Sequence, residues 1–214
     1  MQSESLKSTW TDKASATEIY IVDVSRISRT EFDAAYFSMS EKRRKKCDGL
    51  KFQSDKELCI AVDMLSRKVL SRKLGIAPET LQFDTGYKGK LYLVNGEYQF
   101  NVSHSGKIAA LAVHPEKAVG IDVEKIKPVS AAVARRVFSP SDMKFVFGEE
   151  TIPDGRFAER ETLERFFRVW TYKEAIVKMT GEGITDNFRE FSYDADRCFS
   201  QIFDDYVLTV ITEE

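Results

Sequence analysis

Short apolar segments that end at turn signals constrain the fold of this chain most strongly. The segment from Ile19 to Val24 is rich in β-branched residues, which is typical of a buried strand. Asn95-Gly96 is a typical hairpin turn between two further segments of this kind. The predicted strands lie at residues 19–24, 91–94, 98–102, 108–113, 119–123, 190–193 and 206–211.

Segments with helical spacing alternate with these strands. Leu58, Val62, Leu65 and Val69 recur every three to four residues, so they would lie on one face of an amphipathic helix that Gly75 ends. The predicted helices cover residues 55–74, 130–138 and 158–180, and a further helix start lies at 139–140. Helices mixed with mainly hairpin-connected strands predict an α+β fold, with two α+β halves packed face to face.

Charge is distributed unevenly between these two halves. Residues 1–118 carry 19 Lys and Arg against 15 Asp and Glu, whereas residues 119–214 carry 13 against 19. A basic half beside an acidic half favours a ligand that is anionic and bound through a metal, and argues against a nucleic-acid binder. We therefore expect subdomains at 18–118 and 119–214, preceded by a polar, flexible leader at 1–17.

The sequence also predicts a soluble protein of a reducing cytoplasm. No segment approaches the roughly 18 uninterrupted apolar residues of a membrane span, and residues 1–17 do not resemble a secretory signal. Cys47, Cys59 and Cys198 are odd in number and lack a Cys-x-x-Cys spacing, which argues against disulfides and a cysteine zinc site. We expect a cytoplasmic protein without a membrane partner.

Two groups of charged residues are candidates for a metal site. Asp122 and Glu124 lie two apart on a predicted strand and share one face, while Gly120 would let a neighbouring backbone come close. Glu174 and Lys178 lie four apart on a predicted helix and also share a face. Spacing alone favours a solvated acidic edge and a surface ion pair, and it also fits a Mg²⁺ site with a phosphate-binding lysine.

Candidate anion-binding groups lie in the first half. Ser103-His104-Ser105-Gly106 follows a strand, where free N–H groups in a turn can hold an anion, although an ordinary turn histidine has the same pattern. The basic residues 42–46 and 88–90 are either phosphate ligands or a solvated surface. The sequence lacks the glycine-rich phosphate loop, the dinucleotide fingerprint and the Gly-x-Ser-x-Gly elbow. A nucleotide would therefore be held by scattered Lys and Arg.

Three motifs together resemble those of the 4'-phosphopantetheinyl transferases of the Sfp-like type. The motifs are Phe100-Asn-Val-Ser-His-Ser-Gly106, Val119-Gly-Ile-Asp-Val-Glu-Lys125 and Trp170-Thr-Tyr-Lys-Glu-Ala-Ile-Val-Lys178. The resemblance covers residues 38–192 and implies a monomer of two similar α+β subdomains packed as a pseudo-dimer. It implies Mg²⁺-dependent transfer of the 4'-phosphopantetheine arm of coenzyme A to a serine of an apo acyl or peptidyl carrier protein, releasing 3',5'-ADP.

The resemblance also implies a role for each matching residue. Asp122, Glu124 and Glu174 would bind Mg²⁺, and Glu174 would act as the base for the serine or position that base. Lys178 and Lys173 would contact the diphosphate, so the catalytic set is Glu174, Lys178 and Asp122. Contacts with the rest of coenzyme A would come from Arg43, Lys46, Lys88, Lys90, Ser103 and His104.

Two other functions remain open from the sequence. A Mg²⁺-dependent phosphohydrolase acting on coenzyme A or a nucleotide would use water as the nucleophile and need no carrier protein. A non-catalytic coenzyme A-binding module would need the basic half but not all three carboxylates. Leu58 stands where the family often has an arginine, so one phosphate contact is expected to be absent or taken by Lys56.

Overall fold

The computed structural model describes residues 6–12, 16–86, 89–94, 96–148, 154–181 and 186–214. The α-helices in these ranges are α1 (Arg29–Ser38), α2 (Glu41–Asp48), α3 (Gln53–Leu74), α4 (Ala131–Val137), α5 (Pro140–Phe147) and α6 (Arg160–Thr180). The strands are β1 (Leu6–Asp12), β2 (Thr17–Asp23), β3 (Phe83–Thr85), β4 (Leu91–Leu93), β5 (Gln99–Ser105), β6 (Ile108–His114), β7 (Val119–Lys125), β8 (Val129–Ser130), β9 (Arg156–Phe157), β10 (Phe199–Phe203) and β11 (Tyr206–Thr212). Short 3-10 helices lie at Val24–Arg26, Pro78–Thr80, Asp186–Arg189 and Ala195–Arg197.

Two antiparallel sheets divide the chain. The first has the strand order β1-β2-β6-β5, and the second has the order β10-β11-β7. The long helix α3 packs on the first sheet and the long helix α6 packs on the second. Each half therefore combines a long helix with an antiparallel sheet, which confirms the predicted α+β fold.

The two sheets share one apolar layer. Ile19 and Ile21 of β2 and Ile108 of β6 pack against Ile121 and Val123 of β7. The alternate side chains of β2 point the other way, toward α3, because successive residues of a strand face opposite sides. All seven residues of β6 are buried, as expected for a central strand that is covered on both faces.

Gly120 sets how closely α6 crosses β7. A Cβ atom at this position would lie 1.9 Å from the carbonyl oxygen of Ala175 and 2.7 Å from the backbone nitrogen of Met179. Only glycine leaves room for this approach, which confirms the expectation from the sequence. The close crossing brings the Glu174 side of α6 next to the acidic end of β7.

Part of the expected leader belongs to the first sheet. β1 pairs with β2 in an antiparallel register, so Leu6–Asp12 is a strand and the expectation of a flexible leader is wrong for these residues. β1 lies at the edge of the sheet, where the backbone pairs on one side only. Pairing of this kind depends little on apolar side chains, and hydrophobic periodicity therefore gave no signal for it.

Two further strand predictions differ from the structure. β4 pairs with β3 and not with β5, so the predicted hairpin is wrong, and Asn95 itself lies outside the described residues. Residues 190–193 form no strand, because the Tyr193 backbone N–H donates to the Asp142 side chain rather than to a ladder. The strand that pairs with β11 is β10, which begins at Phe199. No helix within the described ranges has both the length and the apolar composition of a membrane-spanning helix.

Candidate active site

A cleft of about 780 Å³ lies where the two halves meet. Its first wall comes from α2, α3, β5 and the loop before β4, and its second wall comes from β7 and α6. The charged residues that line it are Arg43, Lys46, Asp55, Lys90, His104, Asp122, Glu124, Glu174 and Lys178. All three predicted metal ligands therefore face one cavity, opposite most of the basic residues.

Polar side chains of β5 align this strand with β7. Each side-chain oxygen accepts a hydrogen bond from a backbone N–H on the edge of β7 that no strand covers. The bonded pairs are Asn101 with Ile121 at 3.0 Å, Ser103 with Val123 at 3.2 Å and Ser105 with Lys125 at 3.1 Å. Because alternate residues of a strand share a face, this ladder joins the two halves along the floor of the cleft.

Asp122 is buried at the floor of the cleft and is only 4% exposed. Its Oδ1 atom accepts hydrogen bonds from Ser103 Oγ at 2.9 Å and from Lys178 Nζ at 2.6 Å. Its Oδ2 atom has no hydrogen-bond partner, and it is the one buried side-chain nitrogen or oxygen in the described residues of which this is true. A buried carboxylate oxygen without a partner is costly and indicates that a cation or a ligand group belongs there.

Glu124 and Glu174 share this environment. The pKa of Glu174 is raised to about 7, first by burial and then by the charge of Asp122, with Lys178 acting in the opposite direction. Burial and the charge of Asp122 also raise the pKa of Glu124, whose carboxylate accepts a hydrogen bond from Ser105 Oγ at 2.8 Å. The charge of Asp122 thus raises the pKa of both glutamates, and a cation bound among the three carboxylates would relieve the repulsion.

These carboxylates fit a hard divalent cation. The donor atoms are all oxygens, which Mg²⁺ prefers, and Asp122 contributes an oxygen that no protein group satisfies. Across the described ranges, no three His, Cys, Asp or Glu side chains are already grouped closely enough to hold a metal ion. Binding would therefore require Glu124 and Glu174 to approach Asp122 further.

The two predicted diphosphate-binding lysines of α6 have different surroundings. Lys178 lines the cleft, where its Nζ atom donates to Asp122 and to Ser103. Lys173 is fully buried, donates to the carbonyl oxygens of Phe188 and Phe191, and lies 2.8 Å from an oxygen of Asp142. The predicted contact between Lys173 and the diphosphate is therefore wrong.

Helix geometry explains this error. Successive helical residues are rotated by roughly 100°, so the residue before Glu174 cannot share its face. Burial lowers the pKa of Lys173, and the hydrogen bond with Asp142 opposes this effect. Lys173 thus stabilises the second half from within, whereas Lys178 faces the ligand side.

The basic wall contains most of the predicted coenzyme A ligands. Arg43 and Lys46 of α2 line the cleft. Arg43 Nε lies 3.3 Å from the buried carboxylate of Asp63, and this ion pair orients the Arg43 side chain. Lys90 also lines the cleft, but its Nζ atom donates to the carbonyl oxygen of Met179 at 2.7 Å, near the C-terminus of α6. Lys88 lies outside the described residues.

His104 and Ser103 differ in what they can offer a phosphate. The His104 side chain lines the cleft, and its pKa is lowered, first by partial desolvation of the ring and then by the positive charge of Lys178. Ser103 also lines the cleft, and its hydroxyl donates to Asp122, so the predicted contact between Ser103 and the nucleotide phosphate stays a prediction. This hydroxyl belongs to the carboxylate side of the cleft.

The sequence did not predict the role of two residues of the site. Asn101 lies in the first of the three motifs, and Ser105 lies in the candidate anion-binding segment, but neither was expected to bond to β7. Their two-residue spacing around Ser103 places all three on one face of β5, and this signal would have identified them. Leu58 is buried in the core of the first half, and Lys56 lies at a second groove outside the cleft, so neither supplies a phosphate contact here.

The fold and the site together define a class of protein. Two α+β halves enclose a cleft that has carboxylates on one wall and basic side chains mainly on the other. Such a cleft suits a phosphorylated ligand that binds together with a divalent cation.

Comparison with known proteins identifies the family. Residues 26–116 match the sequence model of the N-terminal region of 4'-phosphopantetheinyl transferases, and residues 118–206 match that of the 4'-phosphopantetheinyl transferase superfamily. The chain belongs to the 4'-phosphopantetheinyl transferase family, which confirms the resemblance seen in its motifs.

Individual relatives agree with this assignment. The chain is 30% identical to a 4'-phosphopantetheinyl transferase of Bacillus subtilis over 177 residues, which are 82% of this chain and 75% of the relative. It is 28% identical to 4'-phosphopantetheinyl transferase Sfp of Bacillus subtilis strain 168 over the same shares of both chains. It is also 28% identical to the L-aminoadipate-semialdehyde dehydrogenase-phosphopantetheinyl transferase of Xenopus laevis, over 67% of this chain and 49% of the relative.

Proposed function

We propose that this cleft transfers the 4'-phosphopantetheine arm of coenzyme A to a serine of an apo acyl or peptidyl carrier protein and releases 3',5'-ADP. The observation that carries the proposal is the buried, unpartnered Oδ2 atom of Asp122, in a cleft that is also lined by Glu124, Glu174 and a basic wall. A diphosphate bound with a divalent cation would satisfy both walls at once. Membership of the family supports the same reaction.

Each group of residues in the cleft has a separate role in this reaction. Asp122, Glu124 and Glu174 would hold Mg²⁺, which offsets charge on the diphosphate when it is bound. Lys178 stabilises the negative charge that develops on the phosphate oxygens. Glu174 takes or directs the proton of the carrier serine while the serine oxygen bonds to the phosphorus that carries pantetheine. The phosphorus–oxygen bond to the 3',5'-ADP leaving group breaks in the same exchange.

The basic wall binds the nucleotide end of coenzyme A. Arg43, Lys46 and His104 lie along this wall and offer donors to its phosphates. Lys90 uses one of its three N–H donors on the carbonyl oxygen of Met179 and has two left for a phosphate. Because both walls come from one chain, we propose that the protein acts as a monomer. The three free cysteines support a cytoplasmic location.

Intact-mass spectrometry of an apo carrier protein tests the proposal. Incubation with the purified protein, coenzyme A and Mg²⁺ should increase the mass of the carrier by one phosphopantetheine group, and EDTA should prevent the increase. Hydrolysis of coenzyme A without carrier labelling would identify a phosphohydrolase. Bound but unreacted coenzyme A across several acyl and peptidyl carriers would identify a binding module.

A further inference from the structure

We propose that Ser103 and Ser105 are positioning residues that orient Asp122 and Glu124 for cation binding. Each serine of β5 donates its hydroxyl hydrogen to one carboxylate of β7, at 2.9 Å for Ser103 and 2.8 Å for Ser105. The inference rests on the proposed function, since it concerns the cation of the same site. The role is one of positioning, because both serines would act on the cation through Asp122 and Glu124.

The hydrogen bonds of Ser103 leave its hydroxyl no other arrangement. A serine oxygen can donate one hydrogen bond and accept two. Ser103 Oγ accepts from the backbone N–H of Val123 at 3.2 Å and from Lys178 Nζ at 2.9 Å. Both lone pairs are therefore used, and the hydroxyl hydrogen must point to Oδ1 of Asp122.

Fixing Oδ1 in this way determines what Oδ2 can do. The Asp122 side chain cannot rotate without losing its bonds with Ser103 and Lys178, so Oδ2 remains buried and without a protein partner. A neutral hydroxyl donor holds the carboxylate without neutralising its charge. Groups that orient metal ligands in this way commonly change metal affinity by about 10- to 100-fold when they are removed.

Ser105 repeats the arrangement at the next carboxylate. Its Oγ atom accepts from the backbone N–H of Lys125 at 3.1 Å and donates to Oε2 of Glu124. The two serines lie two residues apart on β5, and the two carboxylates lie two residues apart on β7. The strand spacing thus makes one serine–carboxylate pair for each ligand that β7 contributes.

Direct metal binding tests the inference without relying on catalysis. We would measure Mn²⁺ affinity by electron paramagnetic resonance, in the absence of coenzyme A, for the full chain and for Ser103→Ala and Ser105→Ala. Each substitution should weaken Mn²⁺ binding by about 10- to 100-fold. Ser66→Ala is the matched control, because Ser66 is a buried serine of α3 that bonds to the Val62 carbonyl oxygen and does not line the cleft. Its Mn²⁺ affinity should match that of the unmodified protein.

A second measurement separates positioning from phosphate binding. The affinity for 3',5'-ADP without divalent cation, measured by calorimetry, should stay within about twofold in both variants if the serines act only on the carboxylates. Ser105→Thr retains a hydroxyl and should recover most of the Mn²⁺ affinity. Ser105 is only partly buried, so its variants preserve the test if Ser103→Ala does not fold.

Specific results would overturn the inference. Unchanged Mn²⁺ affinity in both alanine variants, or no Mn²⁺ binding by the unmodified protein, would contradict it. Unchanged Mn²⁺ affinity with weaker 3',5'-ADP binding would instead support a phosphate-binding role for Ser103. Absence of carrier labelling by the unmodified protein would contradict the proposed function, whereas the Mn²⁺ measurement would still decide the role of the serines.

Discussion

The helix α6 carries two lysine–aspartate pairs that resemble each other in composition and differ in almost everything else. Lys173 pairs with Asp142 at 2.8 Å, and the exposed fractions of the two side chains are 0% and 1%. Lys178 pairs with Asp122 at 2.6 Å, with exposed fractions of 29% and 5%. The first pair lies inside the second half of the protein, and the second lies on the floor of the cleft.

The pairs differ in how many of their polar atoms have hydrogen-bond partners. We call Lys173–Asp142 the closed pair and Lys178–Asp122 the open pair. Asp142 also accepts the backbone N–H groups of Ser139 and Tyr193, both at 2.8 Å, and Lys173 also donates to two carbonyl oxygens. Asp122 keeps one buried oxygen without a partner. A pair that is fully hydrogen-bonded holds the fold together, whereas a pair with an unsatisfied atom is arranged for something that binds later.

The largest expected effect comes from the carboxylate next to the open pair. Glu174→Gln should reduce carrier labelling by about 1,000-fold or more, because it removes a metal ligand and the group that takes or directs the serine proton. The free energy of unfolding should stay equal or rise, since the substitution removes a charge that repels Asp122. Rates from intact-mass spectrometry and urea unfolding check both expectations. Glu161→Gln on the exposed face of α6 is the control, and an unchanged labelling rate for Glu174→Gln would contradict the role.

The next effect concerns the closed pair. Lys173→Met should lower the free energy of unfolding by about 3–5 kcal/mol, because it leaves Asp142 charged, buried and without its cation. Urea unfolding measures the loss. Combining Lys173→Met with Asp142→Asn removes the stranded charge and should recover part of the stability. A loss below about 1 kcal/mol together with weaker coenzyme A binding would contradict the structural role and favour the phosphate contact that the motif suggested.

A substitution at Gly120 tests the close crossing of α6 over β7, which places Lys178 in the cleft and Lys173 in the core. Gly120→Ala should lower the free energy of unfolding by about 1–3 kcal/mol and also slow labelling, because the added methyl group pushes α6 away from β7. Gly49→Ala is the control, since its Cβ would meet the nearest atoms at 3.5 and 3.6 Å, which is ordinary contact. Equal effects of the two substitutions would show that the close crossing is not required.

The sequence predicted well what depends on local spacing. Glu174 and Lys178 share a helix face, and Asp122 and Glu124 share a strand face, because these periods are fixed by backbone geometry. All four side chains therefore line one cleft, as their motifs implied. The close approach at Gly120 was also predictable, because glycine inside a strand commonly marks it.

What the sequence did not predict depends on contacts between distant segments. Nothing near Lys173 indicates that Asp142 will pair with it, and the lysine therefore looked like a second phosphate ligand. The bond from the Ser103 hydroxyl to Asp122 was likewise not predictable, because Asp122 lies on a different strand. Pairing of β4 with β3 also overrides a good local hairpin signal. Tertiary hydrogen bonds, rather than the local pattern, decided each case.

The smallest expected effect distinguishes the two pairs most directly. Lys178→Met should lower the free energy of unfolding in metal-free buffer by about 1 kcal/mol, because the Lys178 side chain is 29% exposed and lines an open cleft, where solvent weakens its interaction with Asp122. Added Mg²⁺ should restore this loss, since a cation bound by Asp122 compensates for the missing ammonium group. The same Mg²⁺ should not reduce the difference in free energy of unfolding between Lys173→Met and the unmodified protein. Asp142 is already enclosed by protein donors, so Mg²⁺ cannot replace the lost ammonium group there. Urea unfolding of both variants with and without Mg²⁺ checks this, and equal recovery in the two would contradict the distinction between an open and a closed pair.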